Sequence, residues 1–280
     1  MIYRTLIDAP TLAAHINDVD WRVFDVRHQL ADVATGERAF QAGHLPGARF
    51  LHCDRDLSGE KTGDNGRHPL PDPVALAARL GACGVGRETQ VVVYDDAHGM
   101  IAGRLWWLLR WLGHERVAVL DGGLQAWLAA GGELTEGLPP NAAARFAPNT
   151  AASAIATADE ILGDLGSDRK LVVDARSPDR FRGENETLDP VGGHIPGALN
   201  RFFRSNLADN GCFKPAEVLR AEWQALMAGR SPESVIHQCG SGVSACHNLL
   251  AMEHAGLPGS RLYPGSWSEW CADPARPVAR

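Results

Sequence analysis

No stretch of this chain is apolar for long enough to cross a bilayer. The longest strongly apolar run, Leu105 to Leu112, is broken by Arg110 and is far shorter than the roughly 20 residues a spanning helix needs. An excess of basic residues is missing too: 27 Lys and Arg face 34 Asp and Glu, a net charge of −7. The chain therefore carries no electrostatic footprint for nucleic acid. No Cys-x-x-Cys pair occurs, and the six cysteines (Cys53, Cys83, Cys212, Cys239, Cys246, Cys271) lack the spacing of a disulfide scaffold. Met1 to Pro10 has no long apolar segment of the signal-peptide kind. The expectation is a reduced, cytoplasmic protein without a metal site.

What the 280 residues do contain is substance for two domains. Hydrophobic residues make up 45% and charged residues 22%, enough to bury substantial cores. Thr11 to Ile16 reads as a short helix and Arg22-Val-Phe-Asp-Val26 as a buried strand. A polar loop from Asp54 to Pro71 contains Gly59, Gly63 and Gly66. Pro73 to Ala82 reads as a helix with proline in its first turn. A strand follows at Gln90 to Asp95, a helix at Ala102 to Leu112, a strand at Arg116 to Leu120 and a helix at Leu124 to Ala130.

The same order then recurs. Val23-Phe-Asp-Val-Arg27 returns as Leu171-Val-Val-Asp-Ala-Arg176, and Gly43-His-Leu-Pro-Gly-Ala48 as Gly193-His-Ile-Pro-Gly-Ala198. The helix from Pro73 returns at Pro215 to Met227, and the segment Val119 to Trp127 at Arg261 to Trp270. The pattern predicts two copies of one α/β domain, each a mostly parallel central sheet flanked by helices. They would occupy residues 1–138 and 154–280, with a linker at 139–153 rich in Pro, Ala and Asn. His44, His194, Asp25 and Asp174 recur in both copies and read as turn-holding residues.

The copies differ most at one place. In the second, a buried strand at Val235 and Ile236 leads into Cys239-Gly-Ser-Gly-Val-Ser-Ala245, followed by a helix. Cys239 thus stands at the C-terminal end of a strand, where α/β sheets carry their chemistry. Gly240 and Gly242 let the backbone curl, so that N–H groups and the helix dipole favour a sulfur anion. A cysteine phosphatase would need an Arg six positions after its nucleophile to fork onto phosphate; that position is Ala245. His237, Cys239, Cys246 and His247 show no spacing that would converge them on a metal. Setting Ala102 against Ala245 aligns Gly122 with Gly265 and Trp127 with Trp270, and puts Asp96 at the position of Cys239. The first domain is then expected to be catalytically silent.

This loop resembles the active-site loop of the rhodanese superfamily, and within it the Cys-Gly-Ser-Gly-Val-Thr-Ala loop of the mercaptopyruvate sulfurtransferases, with Ser244 in place of Thr. The resemblance runs through both Gly-His-x-Pro-Gly-Ala motifs and Gly265-Ser-Trp-Ser-Glu-Trp270. It implies a tandem rhodanese-like sulfurtransferase that carries sulfur as a Cys239 persulfide, with no cofactor. The donor would be a small molecule, and the acceptor a thiol, thioredoxin or cyanide. It also implies that Arg180 binds the donor's anionic group, beside Gly240, Gly242, Val243 and Ser244. Ser241, His68 and Asp54 would form a proton relay. A second donor-binding Arg is not evident on the shortened loop at Thr187 to Pro190, and Arg182 is the nearest substitute.

The loop residues 240–244 are uncharged. A missing cation beside a desolvated anion forfeits about 1.5–3 kcal/mol, which disfavours the compact thiosulfate dianion and favours 3-mercaptopyruvate. Thiosulfate:cyanide transfer is the alternative within the enzyme class. A non-catalytic binding module is the alternative outside it, opposed by Cys239.

Overall fold

The computed structural model describes residues 1–137 and 143–280, so residues 138–142 of the expected domain boundary and linker lie outside the described residues. The chain divides into two compact units. The first comprises Met1–Gly59, Pro71–Ala151 and Asn210–Cys212, and the second Glu60–Leu70, Ala152–Asp209 and Phe213–Arg280. The repeat alone assigns each unit one continuous half of the chain; the structure gives the second unit an eleven-residue segment from the first half. Tertiary bonds to distant residues hold that segment: Arg67 N–H donates to Ser268 Oγ at 3.1 Å.

The first unit runs β1 (Leu6–Ile7), α1 (Ala9–His15), β2 (Trp21–Asp25), α2 (Thr35–Ala42), β3 (Arg49–Phe50) and α3 (Cys53–Asp56). It continues with α4 (Pro73–Ala82), β4 (Gln90–Tyr94), α5 (Ala102–Trp111), β5 (Val117–Leu120) and α6 (Gly123–Ala129). Its five strands are all parallel, in the order β1-β5-β4-β2-β3. Helix starts follow local chemistry. Asp8 caps α1 by accepting Thr11 N–H at 2.7 Å, and Asp72 caps α4 by accepting Ala75 N–H at 2.8 Å, with Pro73 in the first turn. Every residue of β4 is buried, as a strand covered on both faces requires. Leu12, Val23, Phe40, Leu45, Val92, Leu120 and Trp127 belong to one core.

The second unit runs α7 (Ala158–Asp164), β6 (Leu171–Asp174), α8 (Pro178–Phe181), β7 (Leu199–Asn200), α9 (Ala216–Met227), β8 (Val235–Gln238), α10 (Ala245–His254), β9 (Arg261–Leu262) and α11 (Ser266–Trp270). Its four parallel strands lie in the order β7-β6-β8-β9. The connections reverse direction between β6 and β8, and a crevice opens outside the strand ends at such a switch point. Ile161, Val172, Ile195, Ile236, Trp267 and Trp270 pack as its core.

In both units an Arg forks back onto a carboxylate two residues earlier and reaches a glycine carbonyl. Arg27 Nη2 bonds Asp25 Oδ2 at 2.6 Å and Gly43 O at 2.8 Å; Arg176 Nη2 bonds Asp174 Oδ2 at 2.7 Å and Gly193 O at 2.7 Å. His44 and His194 hold turns: their Nδ1 atoms lie 2.8 Å from the carbonyls of Phe40 and Phe181, rings stacked on those phenylalanines. No helix of the described residues is long and apolar enough to cross a membrane.

Candidate active site

The chain leaves β8 at Gln238, turns through residues 239–244 and enters α10 at Ala245. Cys239 is the first residue of the turn and only 2% exposed. Its backbone is fixed on both sides: Cys239 N–H donates to Ser266 Oγ at 3.1 Å, and its carbonyl accepts Trp267 N–H at 3.0 Å. Ser268 N–H reaches the Gly240 carbonyl at 3.0 Å. Gly242 adopts φ +78°, and a Cβ there would stand 2.3 Å from the Pro264 carbonyl oxygen, so only glycine fits the turn. Ser266 also sits in the left-handed region, at φ +55°, which costs a residue with a Cβ about 1–2 kcal/mol. Its hydroxyl donates to Tyr263 O at 2.9 Å while accepting from Cys239.

In the first unit the matching loop closes around an anion of its own. Tyr94 pairs with Asp25 across β4 and β2, as Gln238 pairs with Asp174 across β8 and β6. Since Asp25 and Asp174 are equivalent, the next residues, Asp95 and Cys239, are equivalent too. The backbone agrees: Asp95 O accepts Leu124 N–H at 2.9 Å, just as Cys239 O accepts Trp267 N–H. This corrects the expectation that Asp96 replaces the cysteine. The first loop spans 95–101 against 239–244, so counting back from the helix starts lands one residue late. Asp95 Oδ1 accepts the N–H groups of Ala97 and Gly99 at 2.9 and 2.8 Å, and Oδ2 those of Ile101 and Ala102 at 2.8 Å each. Asp96 is left half-buried, its carboxyl pushed up by desolvation and by the neighbouring Asp95 charge.

Three Arg–carboxylate pairs stand in the second unit, two of them beside Gly240. Arg176 is held by Asp174 and lies 3.4 Å from Glu186 Oε2, with its guanidinium 4.8 Å over the Trp267 ring. Arg180 is forked by Glu186, with Nη2 at 2.9 Å from Oε1 and Nε at 3.1 Å from Oε2. Burial would raise the Glu186 carboxyl, but the amides of Leu188 and Asp189 and the Arg180 guanidinium hold it below its ordinary range. Arg67 pairs with Asp189, whose carboxyl is pushed up by desolvation despite that partner. A Cβ built on Gly240 would lie 2.8 Å from Arg67 Nη2 and 3.4 Å from Arg180 Nη2, so both guanidinium groups border the residue after the cysteine. Arg182 instead points to solvent and forks onto Glu184. Val243 is buried and Ser244 half-buried at the start of α10.

Ser241 Oγ lies 2.7 Å from His68 Nδ1, and both side chains are buried. Asp54 belongs to the first unit, where its carboxylate stands 3.7 Å from His28 Nε2. Among the described residues, His28, His52 and Asp54 form the one group whose donor atoms are close enough to share a metal. His52 is spent, however: Nδ1 accepts the N–H groups of Asp54 and Arg55 at 3.1 and 3.2 Å, which leaves Nε2 to donate to Val33 O at 2.9 Å. His52 thus serves as the N-cap of α3. His237 lies in the core, its Nε2 3.2 Å from Met252 Sδ and its ring edge-on to Trp223.

Three residues that shape the two loops are not marked by the sequence motifs. Arg67 stands beside His68 in plain sight, but only tertiary packing brings it to Gly240. Ser266 replaces Gly123 of the first copy, a difference the repeat does display. Asp95 was hidden by a one-residue difference in loop length.

Residues 8–130 and 157–273 each match the rhodanese-like domain, and the chain belongs to that family, among its sulfurtransferases. It is 48% identical over 276 residues to a probable 3-mercaptopyruvate sulfurtransferase of Pseudomonas aeruginosa, covering 98% of this chain and 97% of that protein. A putative thiosulfate sulfurtransferase of Mycobacterium tuberculosis is 38% identical, over 99% and 97% of the two chains. The solved 3-mercaptopyruvate sulfurtransferase of Leishmania major superposes with a TM-score of 0.82 at 32% identity, over 95% of this chain and 74% of that one.

Proposed function

We propose that this protein moves sulfur from 3-mercaptopyruvate through a Cys239 persulfide to an acceptor thiol, such as thioredoxin, or to cyanide. The Cys239 thiolate attacks the donor's thiol sulfur. A sulfur–sulfur bond forms, the carbon–sulfur bond breaks, and its electron pair leaves with the carbon as the enolate of pyruvate. A proton completes pyruvate. The acceptor then attacks the outer sulfur and Cys239 departs as thiolate.

The observation that carries the donor assignment is the 2.7 Å approach of Ser241 Oγ to His68 Nδ1. An enolate needs a proton as it leaves, whereas sulfite leaves thiosulfate as a stable anion and needs none. A Ser241 hydroxyl re-supplied through His68 meets that need. The self-filled loop of the first unit supports the nucleophile: where Asp95 gathers four N–H groups, the second unit presents Cys239. The Mycobacterium relative favours thiosulfate as the second reading. So do the two guanidinium groups beside Gly240, which supply the cations that the uncharged loop lacks. None of the six cysteines is in a disulfide, and we place the protein in the cytoplasm.

Intact-mass analysis after donor treatment tests the carrier. One added sulfur is expected on the wild type and none on Cys239→Ser; an adduct that persists in the variant overturns the assignment. Steady-state kinetics test the donor, with kcat/KM expected to be higher for 3-mercaptopyruvate than for thiosulfate, and the reverse order establishing the second reading.

A further inference from the structure

Arg67 comes from the first half of the sequence yet belongs to the second unit. Gly66 places it: at φ +84° a Cβ there would meet the Gly265 carbonyl oxygen at 2.7 Å, so this close approach requires glycine. Arg67 N–H then donates to Ser268 Oγ, and Ser268 N–H to the Gly240 carbonyl. One serine therefore ties the Arg67 backbone and the nucleophile loop together.

The side chain completes the arrangement. Arg67 Nη1 pairs with Asp189, while Nη2 faces Gly240. Arg180 approaches the same glycine, its Nη2 and Nη1 lying 3.4 and 3.6 Å from the built Cβ position. Both side chains retain solvent access, at 28% and 21% exposure. Asp189 is shared: its second oxygen lies 3.6 Å from Arg180 Nη2. Two guanidinium groups, one paired with Asp189 and the other forked by Glu186, thus converge on the residue after Cys239. Carboxylate recognition by arginine is bidentate and planar.

We propose that Arg67 is a specificity-determining residue, and that Arg67 and Arg180 together clamp the donor's carboxylate over Gly240, with Asp189 competing for Arg67. The proposal rests on the mercaptopyruvate reading for the identity of the donor, but its geometry concerns any small carboxylate whose reactive carbon or sulfur reaches Cys239. Arg182, which the sequence offers for this place, faces away.

Alkylation of Cys239 separates the two ideas, because iodoacetate and iodoacetamide differ only in the charge of the group the clamp would hold. Rates at Cys239 are read by mass spectrometry in the full chain. Arg67→Gln is expected to slow iodoacetate at least fivefold and to leave iodoacetamide within twofold. Removing Arg67 alone strands the buried Asp189, so the same comparison is made between Asp189→Asn and the double variant Arg67→Gln, Asp189→Asn. A fivefold loss of charge selectivity is again expected on losing Arg67. Equal slowing of both reagents would mean that Arg67 only supports the loop, and unchanged selectivity would mean that it does not meet the carboxylate; either overturns the clamp. Turnover of thiosulfate in preference to 3-mercaptopyruvate, with the Arg67-dependent selectivity intact, would overturn the donor reading and leave the clamp standing.

Discussion

Ser266 holds Cys239 in place: its Oγ takes the cysteine's backbone N–H at 3.1 Å from a left-handed conformation that glycine occupies in the first unit, where Gly123 has φ +59°. A side chain kept at strained backbone angles signals a constraint other than stability.

Ser266→Gly therefore separates the two roles. It relieves about 1–2 kcal/mol of strain and gives up two hydrogen bonds of about 1 kcal/mol each, so stability should stay within about 1 kcal/mol of wild type. We expect kcat/KM to fall about tenfold. Ser266→Ala keeps the strain without the bonds and should lose about 2 kcal/mol by urea unfolding. A Ser266→Gly enzyme with full kcat/KM would show that Cys239 needs no such hold.

The two aspartates of the first loop should behave oppositely. Asp95→Ala leaves four loop N–H groups without their acceptor, and we expect a loss of about 3–5 kcal/mol. Asp96→Asn removes a charge that burial and Asp95 both disfavour; stability at pH 7 should hold or rise by up to about 1 kcal/mol, with activity within a few-fold. Matching losses in the two variants would contradict the equivalence of Asp95 with Cys239.

Ser241→Ala is expected to lower turnover of 3-mercaptopyruvate by about 10²–10⁴, the range for a positioned proton donor, while thiosulfate turnover changes little. Parallel losses with both donors would assign Ser241 to loop structure rather than to proton delivery.

His237 gives an acid-sensitive element. Complete burial and the Arg201 charge lower its pKa to about 3, against about 6.5 in the unfolded chain. Below pH 6.5 the unfolded state binds the extra proton, so stability is fully present above that pH and drains as pH falls toward 3, approaching about 1.4 kcal/mol per pH unit. His237→Met should flatten the slope between pH 6 and 5 in urea titrations; an unchanged slope would place the sensitivity elsewhere.

The fold was legible because parallel strands buried on both faces read as apolar runs. Gln90–Tyr94 and the Pro73–Ala82 helix follow directly from Gln90-Val-Val-Val-Tyr94 and the Asp72-Pro73 start. The two-residue strands β1, β3, β7 and β9 carry no such signal, because they exist only by pairing with longer neighbours. At the candidate site, Cys239 and its Gly-rich turn stand out in the local motif, whereas Ser241 and His68 follow only from the family resemblance. The meeting of Arg67 with Gly240 was not, since it depends on Gly66 fitting against Gly265 across 199 residues of sequence. Loop length misled as well, because one additional residue in 95–101 moves the counted equivalence from Asp95 to Asp96 without disturbing the strand register.

The placement of Glu60–Leu70 in the second unit has a consequence for what counts as a working piece. Although the repeat invites a cut between its copies, residues 152–280 on their own would be missing both Arg67 and His68. The duplicated halves are thus not interchangeable with the two units: the second unit draws eleven residues, Glu60–Leu70, from the first half of the sequence, and a chain of the second copy alone would carry Cys239 without Arg67 and His68.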